Sequence, residues 1–425
     1  MPANLRPTFF HLYGDIAWFG VLSGSALAFL GVYVARLGAS AFQVGLLTAG
    51  PAIVGLIFTM PVGRWLRHRD LGRAVFWSAA LSRINYLWWF VLPLLPSGET
   101  QIWAYVWLVL LMTIPGTVLA VGFNALYAGA VPPEWRGHVA GVRNAVLALV
   151  YLVTTLVCGY LLSVLPLTTG YQVVFAIGFV GAAMSTLHVW YLRDAAPNEA
   201  APADEIRGRI GDLARPGTMR IGALNLRMSI APRLFTRGAD LLRPDLLRGN
   251  YGQVIATLFA FHFAQYVPIP LFPLFWVDEL HFTDFEISIG TAAFFLAVFL
   301  GSLPVGKLAK RWGYHRLNTI GGLGLSLYPL FTAFTPNLAV HVANNLLGGL
   351  AWALIGGALA NFLLEKIPAS ERPAYLAWYN LALNAAILAG SLCGSILADQ
   401  INLSNALIAA FFLRFGAGFL LWRTR

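Results

Sequence analysis

Two short stretches decide how this chain folds: residues 61–64 read Pro-Val-Gly-Arg, and residues 304–307 read Pro-Val-Gly-Lys. Each stretch follows an apolar run, and the two lie 243 positions apart (304 against 61). The same offset pairs a further set upstream: Ser40, Phe42 and Gln43 with Thr283, Phe285 and Glu286. A repeat on this scale indicates a chain built from two similar halves.

The composition indicates that lipid surrounds most of the chain. Of its 425 residues, 58% are hydrophobic and only 11% are charged, whereas soluble domains carry about 25% charged residues. Apolar runs of roughly 20 residues, each long enough to cross a bilayer as a helix, recur along the whole length. An all-α integral membrane protein is therefore predicted.

The apolar runs and their breakers predict twelve transmembrane helices in two sets of six. The first set covers approximately 9–35, 42–63, 74–95, 102–131, 140–165 and 171–192. The second set covers approximately 252–277, 285–306, 317–335, 338–364, 373–398 and 403–422. Three regions follow: a six-helix bundle at 1–192, a cytoplasmic linker with short surface helices at 193–250, and a second six-helix bundle at 251–425.

The basic residues are distributed unevenly between the loops. One set of loops, which includes the Arg-rich segment 193–250, carries nearly all of them. The alternate loops carry Arg36 alone among basic residues, against five acids: Glu99, Asp278, Glu279, Asp284 and Asp399. Because Lys- and Arg-rich loops remain in the cytoplasm, both termini and the linker are predicted to be cytoplasmic, in a plasma or inner membrane.

A second block of the repeat supports two halves in the same orientation. At an offset of 236 (368 against 132), three features recur: Val131-Pro132, Arg136 and Asn144 match Ile367-Pro368, Arg372 and Asn380. Parallel repeats of this kind place a substrate site between the halves, near the middle of the membrane.

Several functional classes are disfavoured. The net charge of +10 follows the loop pattern, without interleaved aromatic residues that stack bases, so no nucleic-acid partner is predicted. Cys158 and Cys393 lie inside apolar runs, and no Cys or His pair stands at metal-ligand spacing. No phosphate loop or Ser/His/Asp order stands out. Neither a metal, a cofactor nor an enzymatic activity is predicted, and the protein is expected to function as a monomer.

The residues after the repeated prolines resemble the signature of the major facilitator superfamily, approximately G-x-L-A-D-R-x-G-R-R between the second and third helices of a half. Residues 306–313 read Gly-Lys-Leu-Ala-Lys-Arg-Trp-Gly, so Lys310 replaces the acid. Residues 63–69 keep the glycine and the basic character, and residues 132–137 resemble the connection between helices four and five. The resemblance implies two pseudo-symmetric six-helix bundles and transport of a small solute.

The resemblance also implies a cytoplasmic gate at this motif. Its candidate residues are Gly63, Arg64, Gly306, Lys307, Lys310, Arg311, Gly313, Arg136 and Arg372. The glycines at 63 and 306 are expected to permit close helix contact, and the cations to pair with helix C-termini or with acids. With the motif's acid lost, Glu134, Glu365 and Glu371 are candidate partners. The alternative is that these cations only set the topology.

Ionisable groups inside the membrane are costly and are functional candidates. Asp15 lies in the first span, and His11 precedes it by one turn on the same face. Such a pair can bind and release a proton, or hold a cationic substrate. The alternative is a structural salt bridge, for which Arg83 and Arg143 are candidate partners. Arg143 is expected to extend its side chain toward the cytoplasmic surface, and Arg414 in the last span to have a structural role.

By the resemblance, spans one, four, seven and ten line the central cavity. Their polar and aromatic residues are the substrate candidates: Asn124, Tyr127, His262, Gln265, Tyr266, Asn344, Asn345 and Trp352. For any one of them the alternative is a hydrogen bond between helices. In span seven, Pro268, Pro270 and Pro273 must interrupt the backbone hydrogen bonding, which lipid tolerates only beside protein or water.

These observations favour a secondary transporter that works by alternating access, with proton coupling through Asp15 as a hypothesis. Its partners would be a small-molecule solute, protons and the lipid bilayer. Two alternatives remain. A lipid flippase on the same scaffold would need a lateral opening to lipid, and a non-transporting receptor or membrane enzyme would need a catalytic cluster or a large folded domain.

Overall fold

The computed structural model describes residues 5–66, 69–96, 98–193, 244–367 and 372–424, and these residues form twelve helical spans that we number α1 to α12. The N-terminal half contains α1 Arg6–Arg36, α2 Ala41–Leu66, α3 Leu71–Arg83 with Asn85–Val91, α4 Glu99–Ala130, α5 Pro133–Val164 and α6 Leu167–Leu192. The C-terminal half contains α7 Asn250–Glu279, α8 Asp284–Ser302, α9 Val305–Ala333, α10 Leu338–Glu365, α11 Arg372–Ile401 and α12 Leu403–Arg423.

The predicted all-α, twelve-helix membrane fold is confirmed. Ten of the described helices are long and apolar enough to cross a membrane on their own. The other two are α3, which is split into shorter segments, and α9, which is more polar. An even number of crossings returns the chain to the side on which it starts. Most of the predicted linker, residues 194–243, lies outside the described residues.

The third span is interrupted at Ile84, which the sequence did not indicate. At the break, the side-chain amide of Asn85 donates to the carbonyl of Leu81 at 2.8 Å, the carbonyl that its backbone N–H would take in a continuous helix. Asn124 and Asn380 make the same bond in unbroken helices, so this contact alone does not explain the interruption.

The ninth membrane span begins after a break at Gly313, close to the predicted residue 317. The basic signature residues, which were expected in a loop, lie on a short helix that starts at Val305 and precedes the break. Gly313 breaks this helix with a φ of 77°, a conformation that L side chains rarely adopt. The basic segment before the break runs along the surface, because its lysines and arginine are exposed.

The sequence repeat corresponds to two equivalent helix starts. Before α8, the Thr283 hydroxyl accepts from the N–H of Glu286, whose carboxylate accepts from the Thr283 N–H at 2.9 Å. Before α2, Ser40 and Gln43 make the same reciprocal pair, with the Ser40 N–H donating to the Gln43 side chain at 2.9 Å. Each is a capping box, which satisfies two of the free N–H groups of a helix start.

The two halves meet along two pairs of equivalent helices. Helix α2 packs along α11, and α5 packs along α8. Within the N-terminal half, α1 packs on α5 and α6, and α4 packs on α2 and α3. Within the C-terminal half, α9 packs on α10 and α12, and α7 packs on α11. Helices α1 and α7 thus occupy matching places in the two halves.

Candidate functional site

A buried charge cluster joins four helices of the N-terminal half around Asp15, which is 2% exposed. Its Oδ2 lies 3.1 Å from Nη2 of Arg143 in α5, and its Oδ1 lies 3.8 Å from Nη2 of Arg83 in α3. The Ser185 hydroxyl in α6 donates to Oδ1 at 2.6 Å. The structure therefore brings together the three charged residues that the sequence offered as partners.

The expectation that Arg143 reaches the cytoplasmic surface was wrong. Arg143 is 5% exposed, and its Nη1 donates to the carbonyl of Leu12 in α1. Its guanidinium lies 5.1 Å from the ring centre of Phe123 and 6.0 Å from that of Tyr127, both in α4. An ion pair, a backbone carbonyl and two aromatic faces replace water around this cation.

His11 lies one turn from Asp15, but its hydrogen-bond partner is another histidine. Its Nδ1 lies 3.0 Å from Nδ1 of His188 in α6. Its ring also stacks on Tyr191 with the ring centres 4.6 Å apart. The sequence analysis did not name His188, because nothing in the order of the residues connects positions 177 apart.

The candidates in α4 make local contacts. The amide of Asn124 bonds to the carbonyl of Ala120 in its own helix, and its residue is half-buried. The Tyr127 hydroxyl donates to the backbone carbonyl of Arg136 at 3.0 Å, and its ring faces Arg143. Tyr127 thus links the charge cluster to the connection between α4 and α5.

The candidates in α7 differ from one another. His262 pairs through Nε2 with the Tyr379 hydroxyl of α11 at 3.0 Å. Tyr266 is half-buried and packs against α11 at Gly390. Gln265 is 4% exposed, and neither its amide nitrogen nor its amide oxygen has a partner among the described residues.

The asparagines of α10 fasten it to α9. Nδ2 of Asn344 donates to the carbonyl of Tyr328 and to Oγ1 of Thr332, each at 3.0 Å. The Tyr328 hydroxyl donates to Oδ1 of Asn345 at 3.0 Å. These are hydrogen bonds between helices of one half. Trp352 is half-buried at the edge of the apolar core.

Arg414 in α12 is 3% exposed and donates only to backbone carbonyls in the described part of the chain. Its donors lie 3.4 Å from the carbonyl of Ala264, 2.7 Å from that of Gln265 and 3.3 Å from that of Leu325. Two of these carbonyls have lost their helical N–H partner, because the residues four positions later are Pro268 and Pro329. Arg414 therefore replaces backbone hydrogen bonds that two prolines remove.

The gate motif is only partly assembled. Arg136 is 3% exposed and caps the C-terminal end of α4 by donating to the carbonyls of Val131 at 2.9 Å and Ala128 at 2.6 Å. Lys307, Lys310 and Arg311 are exposed. In the described part of the chain, no ion pair joins these three cations to an acid.

The expectation of close helix contact at Gly306 was wrong, and the expectation of acidic partners for the gate cations is met by neither of the two candidate acids that the structure describes. A side chain built on Gly306 would meet nothing within 4 Å, so no helix approaches it closely. Neither Glu134 nor Glu365 forms an ion pair within the described ranges. The side chains of Arg64, Arg372 and Glu371 lie outside the described residues.

A second polar cluster, which the sequence analysis did not predict, connects the two halves. Oδ1 of Asp284 at the start of α8 accepts from the Tyr171 hydroxyl of α6 at 2.8 Å, and it lies 3.5 Å from Nη2 of Arg36 at the end of α1. Arg36 also donates to the carbonyl of Phe282. The signal that could have found it is Arg36 itself, the single cation among the acids of its side.

These contacts lie at the helix ends remote from the chain termini, which we call the outer ends. The rings of Tyr151 and Phe295, near the middle of α5 and α8, are 4.2 Å apart, and Tyr160 and Phe285 meet farther out at 6.2 Å. Gly45, at the outer end of α2, faces α11. These hydrogen bonds, ion pair and ring contacts between the halves lie between mid-membrane and the outer ends.

Comparison with known proteins gives one partial sequence match and several structural ones. Residues 254–425 match the sequence model of the Major Facilitator Superfamily. No curated protein sequence matches the chain.

Three solved structures resemble the whole chain. A bacterial homologue of the iron transporter ferroportin, in an inward-facing state, matches with a TM-score of 0.71 at 14% identity, over 100% of this chain and 99% of that chain. The nucleoside transporter NupG matches with 0.67 at 12% identity, over 98% of each chain. The xylose transporter XylE from E. coli, partially occluded and inward open, matches with 0.63 at 16%, over 99% and 98%. At such identities the likeness concerns the fold.

Proposed function

Since this chain has the major facilitator superfamily fold, and its residues 254–425 match that family's sequence model, we propose that it is a secondary active transporter of a small organic solute. The halves would rock about a central site and open to each side in turn. The observation that supports this most is the gathering of contacts between the halves at their outer ends. Such an arrangement is expected of one state of an alternating-access cycle, closed at the outer side.

The solute is not given by the similar structures. The substrates by which those transporters are named are iron, nucleosides and xylose, which have no common chemistry. By the positive-inside rule, the outer ends would face away from the cytoplasm and both termini would lie in it. In this state the central site, near mid-membrane, would open toward the cytoplasm.

Proton coupling through Asp15 is part of the proposal. Protonation of its carboxylate would weaken its contact with Arg143 and free that guanidinium for another partner. Asp15→Asn should therefore abolish transport driven by a pH gradient in vesicles in which the variant is folded. Normal coupled uptake by Asp15→Asn would remove Asp15 from the mechanism.

A reversible lock tests alternating access directly. A Cβ built on Gly45 in α2 would lie 3.3 Å from the Cβ of Ser395 in α11, close to the separation of about 3.8 Å in disulfides. We would introduce Gly45→Cys and Ser395→Cys after replacing Cys158 and Cys393 by Ala. Oxidation should fix the outer ends together.

The readout is uptake into vesicles of a defined mixture of nucleosides, sugars, organic acids, phosphorylated sugars and metal ions, analysed by mass spectrometry against protein-free vesicles. Uptake should stop on oxidation of the double variant and return on reduction, while Ser395→Cys alone responds to neither. Equal uptake by the oxidised and reduced forms would refute the proposal. Translocation of a fluorescent phospholipid without solute uptake would favour a flippase.

A further inference from the structure

The described helices bury more positive than negative charge in the membrane region. Away from the helix ends, their buried ionised side chains are Asp15, Arg83, Arg143 and Arg414, each at most 8% exposed. This set holds one carboxylate and three guanidinium groups. At the helix ends, buried Asp284 is balanced by Arg36, and buried Arg136 donates to carbonyls at the end of α4. Charge in this environment is expensive unless a partner of opposite sign is present.

Asp15 can neutralise only one of its two arginines. Arg83 is held at the side of α6, where its Nη1 donates to the Thr186 hydroxyl at 3.2 Å. Arg143 contacts α1 at the carbonyl of Leu12 and α4 at the ring of Phe123. It uses Nη1 for the Leu12 carbonyl and Nη2 for Asp15, and a guanidinium has five N–H donors. Donors of Arg143 therefore remain for a further acceptor.

The C-terminal half repeats the imbalance. Arg414 has carbonyl partners and no carboxylate among the described residues. Beside it on α7, the side chain of Gln265 is buried with two unpartnered polar atoms. A buried carboxamide with neither atom bonded indicates a site that water or a ligand completes.

We infer that the solute carries an oxyanion, a carboxylate or a phosphate monoester, and that Arg143 binds it. The inference rests on the proposed transport function and names the substrate class of that site. A planar guanidinium can grip either oxyanion through two parallel hydrogen bonds. Asn124, half-buried on the neighbouring α4, donates through its amide nitrogen to the carbonyl of Ala120, and its amide oxygen is able to accept from the rest of the solute. The surplus positive charge of both halves would attract the anion into the membrane interior.

The test is thermal unfolding of the purified full chain with matched ligands in low-chloride buffer. The probes are glucose, gluconate and glucose 6-phosphate, and uridine with uridine monophosphate, each at millimolar concentration. At least one anionic ligand should raise the midpoint temperature of thermal unfolding by several degrees, roughly as expected for a ligand at 100 times its Kd. Its neutral counterpart should leave the midpoint temperature unchanged. Arg143→Gln should remove the shift, Arg143→Lys should reduce it, and Arg423→Gln at the exposed end of α12 should leave it unchanged.

The outcomes separate the two proposals. Stabilisation by the neutral members alone, no stabilisation by any anion, or an unchanged anion shift in folded Arg143→Gln would overturn the inference. None of these results bears on the Gly45–Ser395 lock, which tests transport whatever the charge of the solute. Uptake that ignores the lock would overturn the transport proposal instead.

Discussion

At the scale of single residues, Arg414 shows how a buried cation can serve the backbone. Its three carbonyl partners belong to α7 and α9, and two of them lost their N–H partners to proline. Lysine carries a point charge with three donors on a flexible side chain, so it cannot reproduce the planar set of N–H donors with which the guanidinium reaches three carbonyls. We expect Arg414→Lys to destabilise the protein by about 2–3 kcal/mol, since buried acceptors would be left unsatisfied. The measurement is unfolding in detergent by heat or denaturant.

A double-mutant cycle separates this role from a general packing defect. Pro329→Ala restores an N–H that can bond the carbonyl of Leu325. If Arg414 acts through that carbonyl, Arg414→Lys should cost less in the Pro329→Ala background than in the native one. Equal costs in both backgrounds would show that the carbonyl is not what Arg414 supplies.

Asp15 is the residue at which function and stability are hardest to separate. Asp15→Asn removes the counter-charge of two buried arginines, and breaking a buried ion pair costs about 3–5 kcal/mol. Ser185→Ala deletes one hydrogen bond to the same carboxylate and should cost only about 1–2 kcal/mol. Unfolding measurements on both variants check this order, and a smaller cost for Asp15→Asn would contradict it.

The sequence identified these charges but not all of their partners. Asp15, Arg83 and Arg143 could be proposed as neighbours, because charges in lipid must find one another. The partners of Arg36 and His11 could not, because they depend on which helix faces meet across separations of 248 and 177 residues. Arg143 was expected at the surface because depth was estimated from position along α5, and position says nothing about facing aromatic rings.

At the scale of elements, the capping boxes at the two repeated helix starts should make a measurable contribution to the free energy of unfolding. Ser40→Ala and Thr283→Ala each remove the hydroxyl of a capping box, which should cost about 1 kcal/mol per site. Because the two capping boxes share no hydrogen-bond partner, the double variant should lose about the sum. Thermal unfolding of the three variants measures this, and a negligible loss at either site would refute the equivalence of the two starts.

Helix ends were easier to predict than helix interiors. Ends are marked by local chemistry such as Ser40 with Gln43, so most boundaries were placed within a few residues. The interruption at Ile84 was missed because apolar periodicity continues through it. The short helix before Gly313 was missed because its basic residues were interpreted as a loop, although charged residues can equally line an exposed helix.

At the scale of the whole molecule, the repeat offset and the charge pattern predicted the architecture but not the conformation. Two similar halves follow from the matched stretches at 61–64 and 304–307. Which ends are closed depends on a small difference in free energy between alternative contacts of the same side chains. The sequence is identical in every state of the proposed cycle, so it does not indicate which ends are closed.

The cluster of Asp284, Tyr171 and Arg36 should contribute to the difference in free energy between the closed and open outer ends. Asp284→Asn removes the charge that pairs with Arg36 and weakens the hydrogen bond from the Tyr171 hydroxyl. Both contacts join the halves only when the outer ends are closed. A loss of about 1.4 kcal/mol from this state alone would raise the outward-open population tenfold relative to it. The matched control is Glu286→Gln, which removes a carboxylate from the same turn but keeps the capping box, since glutamine serves as well there.

Two pairs of spin labels can follow the shift, because the chosen sites are exposed. Labels at positions 168 and 400 span the outer ends of the two halves, and labels at 134 and 365 span the opposite ends. In Asp284→Asn, the outer distance should lengthen and the inner one shorten together, as expected when one rigid half rocks against the other. Lengthening of the outer distance with no inner change would instead indicate local fraying of α8, and then the Asp284 cluster would be a local fastening rather than the gate.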